Sequence, residues 1–146
     1  MREFKFRAWY KPLGEMVLPD RLESINFETK VLGVYLPIDN KGFNKLRLSD
    51  FELLQFTGLK DKNGKEIYDG DIVKHTMVIY TDCSRNEVKE TKAPVIGSIT
   101  FIEGVWLGMK LVTGVTKVLL PGIVLEEELE VIGNIYENAE LMGNCP

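Results

Sequence analysis

His75 is the only histidine in the 146-residue chain, and so the one side chain ordinarily poised to take or give a proton near neutral pH. It sits in a β-branched and aromatic run, Val73 to Tyr80, between Lys74 and Thr76. A nucleophile to accompany it would have to come from Ser24, Ser49, Ser84, Ser98, Cys83 or Cys145, none of which stands in a nucleophile-elbow context. Zinc needs a close pair of Cys or His to begin a site, and the sequence has none. Asp69 and Asp71 flank Gly70 and have the spacing to hold a hard cation or to divide acid and base work. An aspartate beside a turn glycine has a commoner use, because its carboxylate accepts hydrogen bonds from nearby backbone N–H groups. Gly58, Gly64 and Gly70 lack the spacing and the strand-to-helix setting of a phosphate loop. The residues therefore predict no catalytic group, no metal and no cofactor, and a protein that is not an enzyme.

Binding chemistry has more to work with. Lys60, Lys62 and Lys65 crowd the Asn63-Gly64 dipeptide, with Lys41, Lys45 and Arg47 upstream, and are the candidate nucleic-acid contacts. Asp61 and Glu66 dilute that charge. Phe4, Trp9 and Trp106 are the candidate interface residues, since aromatic side chains with a polar rim suit a contact between proteins. The net charge of −4 is unevenly spread: residues 1–117 hold all 18 Lys and Arg against 16 acidic groups, while residues 118–146 hold six Glu and no base. Arg2, Lys5, Arg7 and Lys11 face only Glu3 at the other end, so the two ends are expected to attract, within a subunit or across a homo-oligomer contact. The acidic tail argues against wrapping a polyanion.

These groups must be positioned by short strands. Glu3–Tyr10 alternates with period 2, Phe4, Phe6, Ala8 and Tyr10 on one side and Trp9 on the other. Ser24–Phe27 and Lys30–Leu36 read as a hairpin closed near Glu28-Thr29, and Pro37–Gly42 as a boundary or exposed loop. Asp50–Phe56 suits a helical turn capped by Asp50 or a strand, with strand preferred. The turn dipeptides Asn63-Gly64 and Asp69-Gly70 predict two tight hairpins and a compact meander around Lys65–Tyr68. Asp71–Thr81, Val88–Phe101, Val105–Val112 and Leu129–Tyr136 complete the strands, and Asn138 is placed to cap one helical turn through Ala139–Met142. Six or more short strands with regular turns predict a mainly β, antiparallel barrel or sandwich.

A hydrophobic fraction of 45% and a charged fraction of 27% are ordinary for a globular chain long enough to build a core without staples. Cys83 and Cys145 lie far apart and suggest reduced thiols. No apolar run nears the ~20 residues of a membrane helix, and the opening MREFKFRAWY lacks the apolar block of a signal peptide. The expected setting is a cytoplasm, with no membrane contact.

Four blocks, FKFRAWYKPLGEMV, LLQFTGLKDKNGKEIYDGDIVK, GSITF and LEVIGNIYENAELM, resemble the signature segments of the YopX proteins of phages and prophages in Gram-positive bacteria. They occur in order over nearly the whole chain, while residues 20–48 and 82–95 show no family pattern. The chain departs at Ala139, where the family commonly carries proline, a residue suited to the first helical position. The resemblance implies a phage or prophage protein with an N-terminal strand and hairpin appendage over residues 1–48 and an SH3-like barrel over residues 49–146. It implies no known activity and brings no functional residues. The function expected is a non-enzymatic binding or assembly module, a homo-oligomer or a partner of a phage or host protein; the alternative is a small nucleic-acid-binding protein using the Lys60, Lys62 and Lys65 hairpin.

Overall fold

Short alternating segments divided by turn residues give fourteen strands and three-residue or four-residue 3-10 turns, with no α-helix among the described residues. The computed structural model describes residues 5–36, 42–76, 78–81, 87–91, 93–102, 106–119 and 128–142, without the side chains of 78–80, 106 and 117. The chain divides into two compact units, residues 1–56 and 57–146.

The first unit is built from β1 (Phe6–Tyr10), β2 (Glu15–Val17), β3 (Leu22–Asn26), β4 (Val31–Tyr35), β5 (Phe43–Arg47) and the start of β6 (Phe51–Lys60). The alternation read in β1 buries Ala8 and Tyr10, while Trp9 on the other side is half-buried. β1 pairs antiparallel with β2 and β6, setting Ala8 opposite Val17 and Leu53. The segment left open between helix and strand is thus a strand, preceded by one 3-10 turn at Leu48–Asp50. β3, β4 and β5 form a second antiparallel sheet. Its first turn lies where the sequence put it, held by Asn26 Oδ1, which accepts from the Glu28 and Thr29 N–H groups at 3.0 Å. The core joins Ala8, Tyr10, Val17 and Phe51 to Leu32, Val34 and Leu36. Tyr10 and Phe51 meet with ring centroids 4.9 Å apart. Burying side chains of this size contributes roughly 1.5–3 kcal/mol each. Of Pro37–Gly42, only Gly42 is described, and it is exposed.

The second unit follows with β7 (Glu66–Tyr68), β8 (Asp71–His75), β9 (Val78–Tyr80), β10 (Val88–Thr91), β11 (Val95–Ile102), β12 (Trp106–Leu111), β13 (Thr116–Val118), β14 (Leu129–Asn134) and a 3-10 turn at Ala139–Met142. Five strands make an antiparallel sheet in the order β13-β12-β11-β8-β14, curved as half a barrel, and β9 with β10 forms a separate two-stranded ribbon. Ile67, Val73, Ile99, Met109, Leu119 and Leu129 fill its core.

The expected meander is only half present. β7 lies beside β6, but β8 pairs with β11 and β14 rather than with β7. Asp69-Gly70 therefore redirects the chain between sheets instead of closing a hairpin. The cause is visible at Gly70, whose N–H donates to Ile99 O at 2.8 Å and whose carbonyl accepts from Ile135 N–H at 2.9 Å, so its backbone is already taken by other elements. Nor are these the two-residue turns expected from Asn-Gly and Asp-Gly: the positive φ falls on Gly64 (81°) and Gly70 (87°) alone, not on Asn63 or Asp69. At the other end, Asn138 does not cap with its side chain as expected. Its Oδ1 accepts from Asn134 N–H at 3.2 Å, and the final turn is closed by Leu141 N–H donating to Asn138 O.

Gly70 and Gly64 provide an internal comparison. A Cβ on Gly70 would stand 3.2 Å from Tyr136 Cε2 and carry a φ of +87°, whereas a Cβ on Gly64 would meet nothing within 4 Å. Gly70→Val is expected to destabilise the protein by roughly 1–3 kcal/mol, and Gly64→Ala by about 1 kcal/mol or less. Urea unfolding midpoints of the three proteins test this ordering, and an unchanged midpoint for Gly70→Val contradicts it.

Candidate functional site

The Lys-rich hairpin is organised by an acid. Asp61 follows β6 directly and is buried. Its Oδ1 accepts from the N–H groups of Asn63 and Lys65, both at 2.9 Å, and its Oδ2 accepts from Val131 N–H on β14 at 2.9 Å. Asp61 N–H donates to Lys65 O at 2.8 Å, and Gly64 N–H to Asp61 O at 3.0 Å. Burial alone would raise the pKa of this carboxyl. The N–H groups of Val131, Lys65 and Asn63, with the Lys65 charge, outweigh it and hold the pKa below its ordinary 3.8. Lys60, Lys62 and Lys65 are exposed, and Lys62 Nζ lies 3.6 Å from Glu130 Oε2.

His75, the sequence's one acid–base candidate, is 3% exposed. Its Nε2 and Glu128 Oε2 share a hydrogen bond of 2.9 Å, and Glu128 is itself buried. The neighbouring Thr76 N–H donates to Glu128 O at 2.9 Å, which fastens the start of β14 to the end of β8. This is a buried structural clasp. Its partner was not foreseen, because 53 residues separate the two and nothing local marks Glu128. The carboxylates around Gly70 divide their work. Asp71, 1% exposed, accepts Tyr68 N–H at 2.8 Å and serves the turn, while Asp69 faces a cleft.

That cleft has a volume of about 480 Å³, within the size range of small-ligand sites. Its floor is a row of cross-strand neighbours: Ser98 on β11 pairs with Lys110 on β12, which pairs with Thr116 on β13. Thr100 extends the hydroxyl-rich floor, and Ile135 and Met142 form an apolar wall. Val112, which also lines the cleft, is 47% exposed, and Val115 beside it is 62% exposed. One cation, Lys110, one carboxylate, Asp69, three hydroxyl groups and apolar side chains equip it to hold a group of mixed polar and apolar character. Nothing in the sequence marked it, because its members come from separate strands and each is unremarkable alone.

Of the candidate interface residues, Phe4 lies outside the described residues, as does the side chain of Trp106, which opens β12 opposite Ile102. Trp9 stands on β1 opposite Met16 and Glu52, half-buried. Of the two chain ends expected to meet, residues 1–11 and 118–146, residues 1–4, 120–127 and 143–146 lie outside the described residues, as does Cys83. No group of three or more His, Cys, Asp or Glu placed to hold a metal occurs among the described residues. No helix among them is long and apolar enough to cross a membrane.

A family model described as YopX protein matches residues 5–143. Among solved structures, the chain is similar to the crystal structure of protein EF1440 from Enterococcus faecalis, with a TM-score of 0.60 and 20% identity, over 97% of this chain and 99% of that chain. At that identity the likeness is one of fold. No curated protein matches the chain.

The Asp61 centre gives a pH-dependent expectation. A carboxyl whose pKa is lower folded than unfolded adds stability above about pH 3.8 and loses it as pH falls through the folded value. Asp61→Asn leaves one oxygen for three N–H groups and sets an amide N–H₂ against a donor. It is expected to cost roughly 1–3 kcal/mol at pH 7, a gap that narrows as the pH falls below the wild-type pKa. Urea midpoints of both proteins over a pH series measure it; a gap that stays constant into strong acid contradicts the assignment.

Proposed function

The chain belongs to the YopX protein family, and from that premise we propose that it is a phage- or prophage-encoded, non-enzymatic binding or assembly module acting in the bacterial cytoplasm. The second unit serves as an SH3-like barrel, a reading supported by its five-stranded antiparallel half-barrel, and the first unit as an appendage to it. SH3-like barrels present ligand surfaces rather than a fixed chemistry, so the site decides the function. The cleft carries the reading: Lys110 and Asp69 offer charges of both signs, Ser98 and Thr116 hydroxyl groups, and Val112 an exposed apolar side chain, which suits a protein segment of mixed polar and apolar character. The burial of His75 against Glu128 supports a non-enzymatic role, because the one imidazole is committed to the fold. Self-association and a phage or host protein partner both fit such a module.

Reversing and filling the cleft tests this. Lys110→Glu and Thr100→Trp are expected to lose a protein that the wild type retains from the bacterial host, with melting temperatures unchanged. Variants that retain the same set as the wild type overturn the reading.

The exposed Lys60, Lys62 and Lys65 favour the second reading, a small nucleic-acid-binding protein, although Glu130 already draws on Lys62. Phosphate contacts release counterions, so such a complex must weaken steeply with salt. Filter binding of single-stranded and duplex DNA at low and raised salt is expected to show no retention that depends on these lysines. Salt-sensitive retention abolished by changing all three to Glu would establish the second reading.

A further inference from the structure

Two dipeptides of the second unit, Asn63-Gly64 and Asp69-Gly70, carry the chemistry to react with themselves. When glycine follows Asn or Asp, its backbone nitrogen can attack the side-chain carbonyl carbon, because no Cβ screens that nitrogen and glycine reaches the dihedral angles the attack needs. The fold treats the two pairs differently. Gly70 is buried, its N–H donates to Ile99 O at 2.8 Å, and a Cβ there would stand 3.2 Å from Tyr136 Cε2. Attack at that point must break a bond between two elements, and a carboxylate is a poorer electrophile than a carboxamide. Asn63-Gly64 is open. Residues 62–65 are all exposed, and a Cβ on Gly64 would meet nothing within 4 Å. One restraint acts on this pair: Gly64 N–H, whose proton must leave before the nitrogen can attack, donates to Asp61 O at 3.0 Å. Asp61 Oδ1 holds the residues on either side, accepting from the Asn63 and Lys65 N–H groups at 2.9 Å.

We propose that Asn63-Gly64 is a self-modification site, at which the chain slowly converts to an isoaspartyl linkage at a rate set by opening of the turn that Asp61 holds. Gly64 N bonds to Asn63 Cγ, the Cγ–Nδ2 bond breaks, and ammonia leaves with the proton that Gly64 N gives up. The product is a five-membered cyclic imide. Water then opens the ring: addition at Cγ gives aspartate, while addition at the main-chain carbonyl carbon of residue 63 breaks its bond to Gly64 N, and the chain runs on through Cβ and Cγ. This second product carries one more carbon in its backbone and a carboxylate beside it. The added carbon falls inside the loop closed by Gly64 N–H on Asp61 O and by Lys65 N–H on Asp61 Oδ1, and it shifts both donors from their acceptors. Asp61 Oδ2 receives Val131 N–H, and Lys62 N–H donates to Leu129 O, each at 2.9 Å, so a displaced turn loosens the fastening of β14. The new carboxylate also adds a negative charge to the turn that carries Lys62 and Lys65. The modification acts on the hairpin alone and is independent of the cleft.

Incubation of the full chain in mildly alkaline buffer, read by peptide mass spectrometry and by enzymatic methylation of isoaspartyl carboxylates, tests it. The folded wild type is expected to accumulate isoaspartate at position 63 faster than at 69, and at least about tenfold more slowly than the same chain unfolded in urea, because the native turn must first open. Asp61→Asn, which weakens the hold on the turn, is expected to convert faster than the folded wild type. The isolated isoaspartyl chain is expected to lose amide protection at residues 62, 65 and 131, whereas Asn63→Asp, which has the charge without the added carbon, keeps it. A folded wild type free of isoaspartate at 63, conversion as fast folded as unfolded, conversion at 69 as fast as at 63, or an isoaspartyl chain with wild-type protection each overturns the proposal. So does a folded Asp61→Asn that converts no faster. If Asp61→Asn fails to fold, the folded and urea-unfolded wild type decide the restraint by themselves.

Discussion

The second unit depends on one buried carboxylate. Asp61 is the residue at which β6 ends, the hairpin turns and β14 is received, and its two oxygens serve both local and distant backbone. Without it, the N–H groups of Asn63, Lys65 and Val131 would lose their shared acceptor, each unsatisfied buried donor costing about 1–3 kcal/mol. Burying an ionised acid opposes this, yet the three donors are fixed by the turn and need no further ordering to point at it. The net effect is a carboxyl held below its ordinary pKa, in which the hydrogen bonds outweigh desolvation.

The same centre settles how the half-barrel ends. β14 pairs with β8 on one side, which leaves its other edge as a row of unpaired backbone groups. The hairpin supplies what a further strand would: Lys62 N–H donates to Leu129 O at 2.9 Å, and Asp61 Oδ2 accepts from Val131 N–H. At the start of β14 the His75–Glu128 clasp and the Thr76 N–H bond add a second fastening, and at its end Ile135 N–H reaches Gly70 O. A strand held at its start, along its edge and at its end cannot slip by one residue without exposing Leu129 and Val131.

What the sequence made legible was what short-range physics controls. The period-2 alternation of β1, the hairpin at Glu28-Thr29, the strand after Asp50 and the antiparallel, mainly β class follow from side-chain alternation and turn residues. The partner of β8 was not legible. Asp69-Gly70 is a sound hairpin signal, but Ile99 and Ile135, distant in sequence, claim the backbone of Gly70 and draw β8 away from β7. Local chemistry set the turn, and long-range pairing chose the strand that follows it. Asp61 was visible only as a charge diluting three lysines, because the donor that reveals its role, Val131, is 70 residues away. The cleft was hidden for the same reason, its floor being assembled across β11, β12 and β13.

The two blocks that carry most of the family resemblance turn out to be partners. GLKDKNGKEIYDGDIV contributes Asp61, Lys62, Gly70 and Asp71, and LEVIGNIYENAELM contributes Leu129, Val131 and Ile135, whose backbone groups the first block binds. Within the second block, Asn134 Oδ1 accepts the N–H groups of Tyr136 and Glu137, and Asn138 Oδ1 that of Asn134, so its polar residues are occupied in shaping the chain after β14. Residues so engaged specify a fold and leave little chemistry over for a ligand. Among the described residues of the second unit, Lys110, Thr116 and Val112 around the cleft face outward and lie outside both blocks. In this chain the segments that carry the resemblance are occupied in closing the fold, so they are recognisable in sequence without specifying a function.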